Sequence, residues 1–149
     1  MKRGNSSHDA ETAELLRRVG LRLTGSRRYV LEALLQSGHP LSHQELLGRR
    51  DSLRFDRVTI YRALLALKRK GLVHDVKGTD GIRRFGAHPT DLPHCPGNHA
   101  HFLCRRCGRM FCLTESPLPW VEVPAGTTVE GKQMVVYGLC PQCARREND

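Results

Sequence analysis

The sequence predicts an α+β fold, in which a helical half runs into a short hairpin and then into a small α/β or mostly β unit. Three observations carry this. Apolar residues recur at helical spacing up to about residue 70, and the period shortens to that of strands after Gly71. Seven Cys and His side chains then fall within residues 94–112, although the first 87 residues contain no cysteine.

Four helices are predicted in order. The first covers about 9–19, with Asp9 placed as an N-cap and Gly20 as the stop. The second, about 26–36, sets Val30, Leu31, Leu34 and Leu35 on one face. The third opens with Ser42 and Glu45 at the spacing of a capping box. The fourth, about 57–70, has Asp56 before it and Gly71 after it. It buries Ile60, Ala63, Leu64 and Leu67, while Arg57, Thr59, Tyr61 and Arg62 project from its first turns.

LVHDVK, GTDG and IRRF (72–85) then read as two strands about a glycine-bounded turn. Helices followed by such a hairpin outline a winged helix-turn-helix, which lays one helix in the major groove of DNA. Tyr61 would offer apolar contact to a thymine methyl, and Arg57 or Arg62 would reach phosphates or guanine edges. The plainer alternative is an amphipathic helix with a solvated basic face.

Charge separates the two halves. Residues 1–87 hold 18 Lys and Arg against 9 Asp and Glu, whereas residues 88–149 hold 6 of each, so the whole excess of +9 lies in the cysteine-free half. A polyanion partner fits that distribution, as does a merely soluble basic domain. The sequence has no apolar run long enough for a membrane span and no apolar stretch resembling a secretion signal, which predicts a cytoplasmic protein.

Cys104/Cys107 and Cys140/Cys143 form two Cys-x-x-Cys knuckles. Four thiolates close a tetrahedron around zinc with no position left for a substrate, which marks a structural site. A redox pair or disulfides are the competing reading. The strand HAHFLC places His99 and His101 on one face, while His74 lies in the first wing strand and His88 just beyond the second. An ion held by those four would join the halves across a Pro- and Gly-rich hinge. His94, Cys95 and Cys112 are further candidate ligands, or else surface and reduced side chains.

LTGSRRYVLEALL, HPLSHQELL, RVTIYRALLALKRKGLV, GIRRF, HAHFLCRRCG and YGLCPQC, in this order, resemble the ferric uptake regulator family of metal-dependent bacterial repressors over roughly residues 10–143. The resemblance implies a recognition helix carrying Thr59, Ile60, Tyr61 and Arg62, and matches the family's early arginine to Arg27. It is strongest toward the zinc uptake regulators, and it implies the same sensory ligands, His74, His88, His99 and His101. Gly86 stands where many iron sensors have a glutamate, and NHAH replaces their usual H-H-D-H run, which argues against iron or peroxide sensing. Ala100 and Lys132 occupy positions of a further family metal site, which is therefore expected to be missing. Pro117, Pro119, Pro124 and Gly126 break the helix usual between the knuckles, where the family builds part of its dimer.

The expectation is a non-enzymatic, homodimeric repressor that binds double-stranded operator DNA when its regulatory zinc is loaded, with a second zinc held structurally. Residues 9–86 would form the winged-helix DNA-binding domain, 87–98 the hinge and 99–149 the zinc-binding dimerisation domain. The rivals are a sensor of another metal, nickel first because it also accepts imidazole, and a zinc-ribbon DNA-binding protein without sensing. A zinc hydrolase would need a carboxylate base, and residues 94–112 contain no Asp or Glu.

Overall fold

The computed structural model describes residues 5–87 and 99–147. The first part holds α1 (Asn5–Arg18), α2 (Gly25–Ser37), β1 (Leu41–Ser42), α3 (His43–Leu47), a 3-10 turn over Arg50–Arg54, α4 (Arg57–Arg69), β2 (His74–Lys77) and β3 (Arg83–Gly86). The second holds β4 (His99–Cys104), β5 (Met110–Pro117), β6 (Val135–Gly138) and α5 (Pro141–Arg145).

Local chemistry sets the helix boundaries. The Thr24 side chain caps α2 by accepting from the Arg27 N–H, and Gly38 ends it in the left-handed region at φ 65°. Ser42 and Glu45 form the full reciprocal capping box on α3. Asp56 caps α4 by accepting from the Thr59 N–H at 2.7 Å. That bond, with the Thr59 hydroxyl beside it, holds the Asp56 carboxyl below its usual range. Asp9 is not a cap as expected: α1 begins earlier, and Asp9 lies within it in an ion pair with Arg28 of α2.

One core joins the helices to the wing. Leu16, Leu31, Leu34, Leu46, Ile60 and Leu64 are fully buried in it, and Phe85 of β3 closes it from the sheet side. Each such side chain stabilises the fold by roughly 1.5–3 kcal/mol on burial. Leu35, expected in that stripe, is only half-buried, and Ala33 takes a core place instead. The Tyr29 hydroxyl donates to the Leu46 carbonyl at 2.7 Å and ties α2 to α3.

The wing has three strands, not the two expected, in the order β1-β3-β2. Leu41 and Ser42 pair antiparallel with Phe85 and Arg84, so the segment entering α3 also extends the sheet. The second sheet runs β5-β4-β6: β4 and β5 form an antiparallel hairpin, and β6 lies parallel to β4. No helix occurs between β5 and β6 among the described residues. Val76 of β2 is buried against Leu103 and Met110, with Val135 packed on them, so the two sheets share a small core of their own.

Candidate metal centres and nucleic-acid face

The first cluster is built from two turns. β4 delivers Cys104, the chain turns through Cys107, and Gly108 reverses it at φ 72°, a conformation that favours glycine. The Cys104 carbonyl accepts from the Gly108 N–H at 2.9 Å, and the Cys104 N–H donates to the Arg109 carbonyl at 2.9 Å. Across the parallel pairing, Gly138 accepts from the Arg105 N–H at 2.8 Å, which brings Cys140 and Cys143 of the second turn alongside. The four sulfurs lie within 4.8 Å of one another, with Cys107 and Cys140 at 4.0 Å. A zinc tetrahedron with Zn–S bonds of about 2.3 Å sets its sulfurs about 3.8 Å apart, so the donor set fits that ion.

Electrostatics within this cluster point the same way. Burial raises the Cys104 thiol, but backbone N–H groups of Cys107, Cys140 and Arg106 aimed at its sulfur outweigh this and bring it down to about 6. Burial and the neighbouring sulfurs push Cys143 up to about 12. Four sulfurs in one space resist full ionisation on their own, and a dication is the group that replaces their protons.

The second cluster joins the two sheets. His74 opens β2, His99 and His101 lie on β4, and Cys112 on β5 stands opposite His101 in the hairpin register. Their ligand atoms also lie within 4.8 Å of one another. His74 and His101 approach Nε2 to Nε2 at 3.3 Å, and the Cys112 sulfur is 3.8 Å from the same His74 nitrogen. Zn–N bonds of about 2.0–2.1 Å in a tetrahedron place nitrogens about 3.3 Å apart. His99 and His101 are completely enclosed, at 1% and 0% exposure, and among the described residues no carboxylate belongs to the cluster.

Gly86 explains part of this geometry. It pairs with His74 across β2 and β3, and a Cβ on it would lie 2.6 Å from the imidazole Cε1. Only glycine leaves the His74 ring where it stands.

His88, His94 and Cys95 lie outside the described residues. Cys112, read from sequence as an extra ligand, is the residue found with the three described histidines. The signal that would have placed it is the symmetry of the hairpin about its knuckle, which pairs Leu103 with Met110, Phe102 with Phe111 and hence His101 with Cys112. Ala100 is buried within β4, and the Lys132 ammonium donates to the Pro119 carbonyl at 3.3 Å.

The helix α4 presents Arg57, Tyr61 and Arg62 to solvent, with Thr59 half-buried at the cap. His43 was not singled out from sequence. Its ring lies 5.6 Å from that of Tyr61, and its Nε2–H donates to the Arg57 carbonyl at 2.9 Å. Arg27, half-buried at the start of α2, donates to the Arg22 carbonyl at 2.8 Å. Among the described residues no helix is long and apolar enough to cross a membrane.

The model of the ferric uptake regulator family matches residues 18–122. The chain is 30% identical over 141 residues to the transcriptional regulator FurA of Mycobacterium bovis, covering 89% of each protein. It is 29% identical over 146 residues to the peroxide operon regulator of Bacillus subtilis, covering 93% of this chain and 94% of that one. Among solved structures, a zinc uptake regulator complexed with zinc and DNA superposes with a TM-score of 0.67 at 22% identity, over 99% of this chain and all (100%) of the other, which shows a shared fold.

Proposed function

The chain belongs to the ferric uptake regulator family of metal-responsive transcriptional regulators, and from that premise we propose that it is a zinc-responsive repressor. It binds double-stranded operator DNA as a homodimer when its second metal cluster is loaded. Residues 9–86 form the DNA-binding unit and 99–149 the zinc-binding and dimerisation unit, while the hinge assigned to 87–98 lies, but for Ala87, outside the described residues.

One observation carries the reading of the metal. Among the described residues, the cluster that joins the two sheets offers three imidazole nitrogens and one thiolate, with no carboxylate. That set is borderline-soft and suits Zn²⁺, whereas Fe²⁺ and Mn²⁺ usually draw on carboxylate oxygen. His88 remains a candidate ligand of the same site.

The residues then divide the work. Cys104, Cys107, Cys140 and Cys143 hold a structural zinc. His74 belongs to the wing sheet, and His99, His101 and Cys112 belong to the other sheet, so the four donors converge in only one relative orientation of the two. Zinc held there would be bound by His74 from the wing sheet and by His99, His101 and Cys112 from the other, and would so link the two sheets. If that orientation is also the one that fits DNA, metal affinity and operator affinity are linked by the same free energy. Thr59, Tyr61 and Arg62 on α4 read the groove with Arg57, and Arg27 adds a basic contact. The outer strand β6, with Val136 and Tyr137 exposed and Trp120 of the preceding segment 86% exposed, is an edge that a second copy would cover.

Zinc per chain, measured by elemental analysis before and after dialysis against a moderate chelator, tests this together with operator binding. The expected result is two ions falling to one with the fold retained and DNA affinity lost. The double variant His99→Ala/His101→Ala should keep the tightly held ion and lose the zinc dependence. An unchanged zinc response in that variant would exclude this sensory site, and a stronger response to nickel would reassign the metal.

A further inference from the structure

We infer that Gln133, which belongs to neither metal cluster, is a positioning residue that sets the metal affinity of the His74–His99–His101–Cys112 site. This rests on the reading of that cluster as an exchangeable site.

The wing sheet ends at β2, whose outer edge has no neighbouring strand among the described residues. In an antiparallel pair, successive residues turn their backbone groups alternately toward the partner and away from it. The Gly78 N–H donates to the Ile82 carbonyl at 2.9 Å, so the residue before Gly78, Lys77, faces the open side. Gln133 meets it there with its carboxamide. The side-chain N–H donates to the Lys77 carbonyl at 3.0 Å, and the side-chain oxygen accepts from the Lys77 N–H at 3.4 Å. One side chain thus takes the place of a strand residue.

The other side of the same segment is tied to a ligand. The Met134 carbonyl, next in the chain, accepts from the His101 N–H at 3.0 Å, and Val135 opens β6 opposite His101. The bridge therefore runs from the His101 backbone, through Met134 and the Gln133 side chain, to Lys77, which shares β2 with His74. Beneath it, Val135 packs on Val76, Leu103 and Met110. None of these contacts uses a metal ligand's side chain, yet together they hold the wing donor at a fixed offset from the donors of β4. Donors held in place beforehand bind more tightly, because less orientational freedom is lost on binding.

β6 begins at Val135, two residues beyond Gln133, whose side chain pairs with the wing.

The test uses the full chain with its structural zinc in place. A competing fluorescent chelator measures the affinity of the exchangeable ion in the parent, in Gln133→Ala, in Gln133→Glu and in Glu130→Ala, an exposed control on the same segment. Gln133→Ala should weaken exchangeable zinc by about five- to ten-fold, the low end of what two neutral hydrogen bonds contribute. Gln133→Glu keeps the length but sets an oxygen against the Lys77 carbonyl, so it should do no better. Glu130→Ala should match the parent. With Co²⁺ at saturation, all four proteins should give the same visible spectrum, since the ligand set is intact and only its affinity changes. Parental affinity in Gln133→Ala overturns the inference, as does an altered cobalt spectrum or loss of the tightly held zinc, each of which would indicate a general folding role. A parent that carries no exchangeable ion overturns the sensory reading itself, and this inference with it.

Discussion

The two ligand clusters differ in where their ends are fastened. The four cysteines come as two short turns on one small sheet, and the contacts that align the turns, such as Arg105 with Gly138, belong to that sheet. The His74 cluster takes one donor from the wing and three from the β4–β5 hairpin. A site assembled within one folding unit is complete whenever that unit is folded. A site assembled between two units is complete only when they are correctly placed. The first arrangement suits permanence and the second suits reporting, even though both draw on the same strand, β4.

The largest expected effect breaks the first cluster. Cys104→Ser removes a ligand at the end of β4, and structural zinc in such sites contributes about 10–16 kcal/mol of apparent binding free energy at neutral pH. The second sheet should lose its hydrogen-exchange protection and the tightly held zinc, while α2 and α4 keep theirs. Equal protection in both halves would show that the cysteine cluster is dispensable for the fold.

Gly86→Ala should come next, and it strikes only the second cluster. Its Cβ would lie 2.6 Å from the His74 ring, which must move away from the other donors. Exchangeable zinc, measured by chelator competition, should weaken by more than about ten-fold, equivalent to roughly 1.4 kcal/mol. The structural ion should stay. An unchanged affinity would show that His74 is not a ligand.

The smallest effect sharpens the comparison. Cys112→Asp exchanges the soft donor for a hard one without altering the number of ligands. It should lower zinc affinity a few-fold and raise the relative affinity for Mn²⁺, as ligand softness dictates. Competition between the two metals under anaerobic conditions measures the ratio. If the ratio does not move, Cys112 stands beside the site and does not bind the ion.

The sequence was most legible where the chemistry is local. The Cys-x-x-Cys knuckles, the Ser42–Glu45 capping box and the buried face of α4 each rest on residues a few positions apart, and each stands where it was expected. The strand alternation that put His99 and His101 on one face was equally readable. What escaped depends on pairing between segments. β1 has two residues, too few to show a period, and exists because Phe85 and Arg84 lie beside it. Cys112 became a member of the histidine cluster through hairpin register, and Gly86 matters because of a ring contributed by the neighbouring strand. Gln133 carries no motif at all. Its place is set by an open strand edge that only the assembled sheets create.

The parallel alignment of β6 with β4 also fixes an order of assembly. The β2–β3 hairpin closes through contacts near in sequence, whereas β6 returns to β4 only after a long crossover, and Cys107 and Cys140 stand 33 residues apart. Pairings that must close long loops form late, since the entropy of closure is lost before the contact repays it. The β2–β3 hairpin should therefore reach its final form on a faster clock than the cysteine cluster. Refolding followed at the β2–β3 hairpin and at β6 should show two phases, with only the slower one accelerated by added zinc.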